Sequence, residues 1–135
     1  MALDITPEIE TRLKNDYVIW FTTVRDDGMP QPTPVWFIWQ NGSILLYSSD
    51  KAQKVRNIRA NGKVAVNLDN THDGENYVVL QGEAKIEPAA PKASQVAAYI
   101  EKYRQGMADL NMTPESFDEN LPVAIRFTPL HVRGE

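Results

Sequence analysis

The sequence predicts a mainly β protein: a closed antiparallel barrel of six strands with short helices at its corners. Three observations support this prediction. Apolar and polar residues alternate over several short segments, turn signals join most of those segments as hairpins, and helices do not alternate regularly with strands as a βαβ sheet requires. The chain has 135 residues, 42% of them apolar. We therefore expect a single domain over residues 1–135 with one core.

The chain is predicted to begin with a short helix that has Thr6 as its N-cap and Pro7 in its first position. Apolar residues recur in it every four positions, at Ile5, Ile9 and Leu13. β-Branched, aromatic and alternating segments then predict the strands. The six predicted strands are residues 17–24, 31–39, 43–48, 64–68, 78–86 and 122–128.

Turn chemistry separates the first three strands. Asp27-Gly28 and Asn41-Gly42 supply the positive φ that a tight hairpin needs. Pro32 and Pro34 cannot donate ladder hydrogen bonds, so the first half of strand 31–39 is expected at an edge or a bulge.

Two further helices and two irregular segments complete the predicted elements. A helix over residues 52–61 has Ser49 or Asp50 as a possible cap and Gly62 just past its end. A second helix over residues 92–103 presents one apolar face, made of Val96, Tyr99, Ile100 and Tyr103. Residues 69–75 are expected to form a polar loop, and Thr113-Pro114-Glu115 to open one further short turn.

The composition excludes several functional classes. A net charge of −4 argues against non-specific binding of nucleic acid, which requires a broad positive surface. The chain has no cysteine, and His72 and His131 lie far apart in sequence, so no metal site is expected. The longest apolar run, residues 18–21, cannot span a membrane. The N-terminus does not resemble a signal peptide, and a cytoplasmic protein is expected.

A basic segment is the first candidate site. Residues 51–68 contain five of the fourteen cations and no acidic residue. They lie at a predicted strand-to-helix junction, where backbone N–H groups and the helix dipole favour an anion. Ser48, Ser49 and Lys54 would suit a phosphate there. The alternative is a solvated basic helix face.

The proline-rich segment that follows Gly28 is the second candidate. Prolines that interrupt strand pairing leave backbone carbonyls and amides free to contact a planar heterocycle with polar edges, such as a flavin ring. The alternative is an edge strand that proline protects against aggregation. Trp20, Trp36 and Trp39 are expected in the core or an interface. No catalytic side chain is evident, which suits a protein whose cofactor carries the reaction.

These segments together resemble a known family. Five motifs occur in an order similar to that in the pyridoxamine-phosphate-oxidase-like split barrels. They are Arg-x-Asp-Gly-x-Pro (25–30), Pro-Val-Trp (34–36), Tyr-Ser-Ser (47–49), Lys-Val-Arg-Asn-Ile-Arg (54–59) and Gln-Gly-Glu-Ala (81–84). The similarity is greatest to the branch of probable coenzyme F420-dependent enzymes and extends over residues 6–134. It implies a six-stranded split barrel of the FMN-binding type and a homodimer with cofactor sites between the subunits.

The resemblance also implies roles for individual residues. Lys54 matches the lysine that binds the cofactor phosphate, and Asn57 matches a position at which some members contact the cofactor tail. Tyr77 matches a position that the partner subunit commonly contributes. Ser48 and Ser49 match the hydroxyl-bearing positions that end the strand before the Lys54 helix. Gln31 and Thr33 match strand positions that line the cofactor ring. The extra cations Lys51, Arg56 and Arg59 suit the longer anionic tail of a deazaflavin.

The sequence departs from true pyridoxamine phosphate oxidases in two places. Gln53 stands where they have an arginine before the phosphate lysine, and the chain lacks their longer arginine-bearing C-terminal segment. Oxidation of the vitamin is therefore not expected. Three functions stay open: a coenzyme F420-dependent reductase that passes hydride to a small organic acceptor, an FMN-dependent oxidoreductase, and a non-catalytic flavin-binding or stress protein.

Overall fold

The computed structural model describes residues 3–68 and 75–134. Seven strands form one sheet: β1 (Ile19–Val24), β2 (Pro30–Val35), β3 (Ile38–Gln40), β4 (Ser43–Ser48), β5 (Lys63–Leu68), β6 (Val78–Ile86) and β7 (Val123–Gly134). Four α-helices and one 3₁₀ turn accompany it: α1 (Pro7–Asn15), α2 (Gln53–Ala60), the turn Ala93–Gln95, α3 (Ala97–Asp109) and α4 (Pro114–Asn120).

The sheet curls into a split barrel. Its strand order is β2-β1-β5-β6-β7-β4-β3, and every neighbouring pair is antiparallel. The two outer strands, β2 and β3, are consecutive in the chain, so the sheet must bend back towards its own first strand. The predicted mainly β barrel is therefore confirmed, although it has seven described strands and not six.

The additional strand arises because the predicted strand 31–39 breaks at Trp36 and Phe37. The Phe37 N–H donates a hydrogen bond to the Tyr103 hydroxyl oxygen at 2.8 Å. The same hydroxyl lies 2.8 Å from the Phe37 carbonyl and 2.7 Å from the Tyr17 carbonyl, to either of which it can donate its proton. A side chain from α3 thus replaces the ladder partner of Phe37, and the strand bends at that point.

Both predicted hairpin turns are present. Asn41 and Gly42 have φ values of 53° and 77°, which are the left-handed conformations that a two-residue hairpin requires. Gly28 has a φ of 85° and closes the turn between β1 and β2. The first helix also begins as expected, since the Thr6 hydroxyl accepts a hydrogen bond from the Ile9 N–H at 3.3 Å.

Of the end signals predicted for α2, the N-cap is wrong, whereas Gly62 lies just past the end of the helix as predicted. Ala52 is the N-cap residue and forms no side-chain cap hydrogen bond, because the Ser49 hydroxyl accepts instead from the Lys51 N–H at 3.2 Å. Asn61 is the C-cap. Gly62 serves close packing: a Cβ there would lie 2.8 Å from the Ala84 carbonyl oxygen of β6.

Three elements in the second half also differ from their predictions. The helix predicted over residues 92–103 divides at Val96, which is extended, and α3 continues to Asp109. The turn predicted at Thr113 is the first turn of α4, where the Thr113 hydroxyl accepts from the Ser116 N–H at 3.0 Å. Strand β7 runs six residues beyond Thr128 because a bulge at Gln81/Gly82 accommodates it.

Two hydrophobic clusters fill the described structure. The first, which we call the barrel core, lies inside the curled sheet and is closed by α1 and α2. Its largest members include Leu13, Phe21, Phe37, Leu46 and Phe127. The second, which we call the aromatic cluster, lies between the outer face of β4 and the helices α3 and α4. Its aromatic members are Trp36, Tyr47, Tyr99, Tyr103 and Phe117.

Two sequence predictions fall outside the described residues: most of the polar loop 69–75, and His72. No helix among the described residues is long and apolar enough to cross a membrane.

Candidate cofactor site

The start of α2 leaves two backbone donors without partners. No described residue accepts a hydrogen bond from the Gln53 or Lys54 N–H. These groups carry the positive end of the helix dipole, and the first turn contains no acidic residue that would neutralise it. The predicted basic strand-to-helix junction therefore has the donors that an anion requires.

Lys54 extends from this turn into a groove of about 390 Å³ between β2, β4 and the α3–α4 segment. Its walls are formed by Val18, Pro34, Val35, Trp36, Tyr47, Tyr99, Leu110, Met112, Phe117 and Leu121. Among the described lining residues, Lys54 alone carries a charge. Its ammonium group forms no hydrogen bond or ion pair with any described residue, and burial lowers the pKa of Lys54 below its ordinary value. A half-buried cation without a counter-charge is an unfavourable arrangement that an anionic ligand would relieve.

Aromatic rings form the far wall of this groove. The Trp36 ring stacks on Tyr103 with centroids 4.6 Å apart and planes 8° from parallel, and it lies nearly parallel to Phe117 at 6.0 Å. Tyr47 donates its hydroxyl hydrogen bond to the Pro91 carbonyl at 2.8 Å, and burial raises the pKa of Tyr47 to about 12. These rings pack against one another, and Trp36, Tyr47 and Phe117 line the apolar side of the groove.

The residue before Lys54 points into a second, polar cavity. Gln53 lines a space of about 420 Å³ together with Gln31 and the hairpin residues Arg25, Asp26 and Asp27. Two consecutive residues of the first turn of α2 thus face two cavities of opposite character, one apolar and one polar.

Asn57 connects α2 to the sheet. Its side chain is 1% exposed and donates to the Thr23 hydroxyl at 2.9 Å and to the Gln31 side-chain oxygen at 3.0 Å. Its own oxygen accepts from the Gln53 amide at 2.9 Å. The structure therefore gives Asn57 a positioning role, because it holds the two glutamines that line the polar cavity.

The two serines lie at the end of β4 beside α2. Ser48 is fully buried and donates to the Ser49 carbonyl at 3.0 Å. The Ser49 hydroxyl is partly exposed and shapes the turn that leads to α2. Lys51 is exposed in this turn, and its carbonyl accepts a hydrogen bond from Arg56 at 2.9 Å. The Ser48 hydroxyl is therefore engaged inside the protein, while Ser49 and Lys51 belong to the turn before α2.

Gln31 and Thr33 lie on β2, in pairs with Thr23 and Phe21 of β1. Tyr77 is 39% exposed and precedes Val78, which pairs with Gly134 at the opposite end of β6 from the α2 side. The structure therefore brings Gln31 to the α2 residues at one end of the barrel, and it places Tyr77 at the other end of the same chain. Thr33 lies further along β2 and has no described contact with α2.

The free edge of β2 carries only hydrogen-bond acceptors. Arg25 N–H donates to the Met29 carbonyl at 3.0 Å, so in this register residues 29, 31, 33 and 35 exchange hydrogen bonds with β1. The alternate residues are Pro30, Pro32 and Pro34, which turn their carbonyls away from β1 and have no N–H. No described residue donates to these three carbonyls. The expectation of free amides along this edge is thus wrong, whereas the carbonyls are free.

Sequence reasoning missed the α3–α4 wall of the groove. Leu110, Met112 and Leu121 lie outside the regular elements, and Phe117 follows a signal that predicted only a turn. The helical spacing of Tyr99 and Tyr103 identified a buried face without indicating that the face borders a cavity. Within the described ranges, no cluster of three or more His, Asp or Glu side chains could bind a metal.

Comparison with known proteins supports a cofactor-binding fold. A structure described as an F420 reductase matches with a TM-score of 0.71 and 25% identity, and the match covers 93% of this chain and 96% of that one. The conserved hypothetical protein Rv2991 from Mycobacterium tuberculosis matches with a TM-score of 0.71, 25% identity and coverage of 93% and 81%. General Stress Protein 26 from Bacillus anthracis shares the fold, with a TM-score of 0.69, 24% identity and coverage of 93% and 88%. No curated protein sequence matches this chain.

The family model matches nearly the whole chain. Residues 5–134 match the sequence profile described as pyridoxamine 5′-phosphate oxidase. The matched segment includes the α2 junction, the proline-interrupted edge and the groove between them. The chain belongs to the pyridoxamine 5′-phosphate oxidase family and has its split-barrel fold.

Proposed function

We propose that this protein is a cytoplasmic oxidoreductase that binds coenzyme F420 and transfers hydride to a small organic acceptor. The observation that carries the proposal is Lys54, a half-buried cation without a partner among the described residues, in an otherwise apolar and aromatic groove beside free helix N–H groups. A cofactor with a flat ring and a phosphate matches both parts of this groove. A bound deazaflavin or flavin supplies two-electron hydride chemistry.

The residues of the chain then bind the cofactor, orient its ring and exclude water from it. Lys54 and the first N–H groups of α2 hold the phosphate, while Ser48 and Ser49 shape the adjacent turn. Gln31 and Thr33 are placed along the ring, with Gln31 oriented by Asn57. The wall of Trp36 and Phe117 keeps water from the apolar side of the groove.

The exposed cations favour coenzyme F420 over FMN. Arg56 is tied to the start of α2 through hydrogen bonds to the Lys51 carbonyl and to Gln53 at 2.9 and 2.6 Å. Lys51, Arg56 and Arg59 therefore present positive charge on the solvent side of α2, where an acidic tail beyond the phosphate would run. FMN has no such tail and is the alternative cofactor.

A second copy of the chain is proposed to complete the site. The outer face of the sheet exposes apolar side chains, with Trp20 39% and Leu130 56% exposed, around a hollow of about 450 Å³. A two-fold dimer would cover this face and could bring Tyr77 of one subunit to the groove of the other. Sedimentation velocity should give twice 15.3 kDa, and a stable monomer would contradict the interfacial site.

Substitution of Lys54 by methionine tests the proposed site. Lys54→Met removes the charge but keeps most of the side-chain volume, so the unfolding midpoint without cofactor should change little. The dissociation constants of coenzyme F420 and FMN, measured by fluorescence titration, should rise about 10- to 150-fold, because a charge-assisted hydrogen bond is lost. Lys14→Met, at a lysine that only pairs with Glu10 on the surface, is the matched control.

The outcomes separate the alternatives. If Lys54→Met and the wild type bind both cofactors with equal affinity, the basic cluster is a solvated helix face and not a binding site. Tighter binding of FMN than of coenzyme F420 by the wild type would make FMN the cofactor. Binding of either cofactor without turnover of any acceptor would favour a non-catalytic flavin-binding protein.

A further inference from the structure

The acceptor-only edge of β2 lies between the two cavities of the site. Pro34 lines the apolar groove, and Gln31 lines the polar cavity at the other end of the strand. Lys54 and Gln53 face the same two spaces from α2. A ring that lies between the cavities therefore meets the free carbonyls of Pro32 and Pro34 and no backbone N–H of this strand.

Flavins and deazaflavins differ at one ring position that is sensitive to such an edge. A flavin has a nitrogen at position 5, which accepts a hydrogen bond when the ring is oxidised, whereas a deazaflavin has C–H there. A carbonyl that faces the nitrogen places two acceptors against each other and leaves both unsatisfied, at a cost of about 1–3 kcal/mol for a buried group. A carbonyl that faces C–H makes a weakly favourable contact.

We propose that the alternating prolines of β2 make this site selective for a deazaflavin ring over a flavin ring. The inference rests on the proposed function and deepens it by assigning the choice of ring to Pro32 and Pro34. It is independent of the cations that hold the phosphate and the tail, because the selection acts on the ring edge alone.

The same prolines also prevent another strand from pairing with this edge, and protection from aggregation would by itself account for them. The two roles make different predictions. A purely protective edge would bind flavin and deazaflavin rings alike, whereas a selective edge discriminates between two molecules that differ only at position 5.

The test uses FMN and 5-deaza-FMN, which have the same phosphate and side chain. Wild-type protein in its native oligomeric state is titrated with each molecule, and binding is followed by fluorescence. We expect 5-deaza-FMN to bind about 5- to 150-fold more tightly than FMN, the range that corresponds to one unsatisfied buried acceptor. Equal affinities, or tighter binding of FMN, would overturn the inference.

Substitutions that introduce an N–H donor into the β2 edge provide the second part of the test. Pro32→Ala and Pro34→Ala each add one outward N–H to the edge without adding bulk. At least one of them should reduce the preference by about 3- to 10-fold through tighter FMN binding, which is the effect of one hydrogen bond. Pro88→Ala, at an exposed proline beyond β6, is the control and should leave the ratio unchanged. Unfolding by urea verifies that each variant remains folded.

The reduction potential of bound FMN gives a readout that a merely structural role would not move. The reduced ring has an N–H at position 5, which can donate a hydrogen bond to a free carbonyl. The reduction potential of FMN bound to the wild type should therefore be higher than that of FMN bound to the variant that gains affinity. An unchanged potential in both proline variants would contradict the proposal. If neither molecule nor coenzyme F420 binds, or if Lys54→Met has no effect, the proposed function itself fails. If FMN and 5-deaza-FMN both bind through Lys54 with equal affinity, only the selectivity fails.

Discussion

The barrel core and the aromatic cluster lie on opposite faces of β4, and they are built differently. Ile44 and Leu46 point into the barrel core, where the described neighbours are almost entirely aliphatic or phenyl side chains. Leu45 and Tyr47 point into the aromatic cluster, where three tyrosines contribute hydroxyl groups as well as rings. Apart from the Asn57–Thr23 hydrogen bond beneath α2, the barrel core thus depends on packing, whereas the aromatic cluster combines packing with buried hydrogen bonds of a tyrosine hydroxyl.

The contrast shows how the fold separates stability from binding. The barrel core is enclosed by strands, α1 and α2, and of its described members only Val35, at its edge, also lines the groove. The aromatic cluster is open along the groove, where Trp36, Tyr47, Tyr99 and Phe117 form the wall. We therefore expect substitutions in the barrel core to act on global stability and those in the aromatic cluster to act on ligand affinity as well.

Phe127→Ala should give the largest effect. Phe127 is fully buried on β7 and meets Phe21 edge-to-face at 6.4 Å and 81°. Its truncation leaves a cavity that rigid strands surround, so we expect a loss of about 3–5 kcal/mol in the free energy of unfolding, measured with urea.

Phe117→Ala is the matched substitution in the aromatic cluster. Phe117 is 2% exposed, but the space that it vacates opens into the groove. A smaller loss of about 2–3 kcal/mol is expected, since the cost depends on how far the site can relax or fill. Cofactor affinity should fall in this variant at temperatures where it is fully folded. Equal destabilisation with unchanged affinity would remove the proposed distinction between the clusters.

Tyr103→Phe should have the next largest effect, because it deletes a hydroxyl and keeps the ring. The Phe37 N–H loses its acceptor, and the Tyr17 and Phe37 carbonyls lose a donor. Leaving a buried donor unsatisfied should lower the free energy of unfolding by about 1–3 kcal/mol. Tyr99→Phe is the control, at a buried tyrosine of the same helix whose hydroxyl forms no hydrogen bond with a described residue, and it should cost less stability. A neutral Tyr103→Phe would show that the ring alone holds the bend between β2 and β3.

The same comparison explains which parts of the fold could be predicted from the sequence. The barrel core follows from alternation within single strands, such as Val64, Val66 and Leu68, which a local pattern records. The aromatic cluster assembles from segments that are distant in sequence, as Phe37 and Tyr103 show. No local pattern reports that a tyrosine hydroxyl will replace a ladder partner, so the break in strand 31–39 was not predictable.

The candidate site was likewise only partly predictable from the sequence. Lys54 and its neighbouring serines are close in sequence, and the charge of the lysine beside a helix start was enough to predict them as candidate site residues. The role of Asn57 in holding Gln31 and Gln53 depends on three segments meeting, which spacing does not show. The acceptor-only edge required the register of β1 and β2, because only the register reveals which carbonyls face outward.

The smallest predicted effect concerns Lys102, which contacts both clusters. Its ammonium group donates to the Phe37 carbonyl at 3.0 Å and lies 4.0 Å from the centre of the Phe37 ring. Burial lowers the pKa of Lys102 from 10.5 to about 8, and the nearby charge of Asp16 opposes this shift. The Phe37 ring and carbonyl also favour the charged form of Lys102 and so oppose the effect of burial.

The lowered pKa makes stability depend on pH in a defined direction. Between about pH 8 and 10.5 the folded protein releases the Lys102 proton while the unfolded chain retains it, so the unfolded state binds more protons and stability rises with pH. Lys102→Met and Lys102→Gln remove this contribution and leave the neighbouring Lys14, Asp16 and Glu101 in place. The unfolding free energy of the wild type minus that of either variant, measured with urea, should therefore increase across this window. A flat difference would mean that the contacts with Phe37 hold the pKa of Lys102 near its ordinary value, and that the aromatic cluster compensates for burial of the charge.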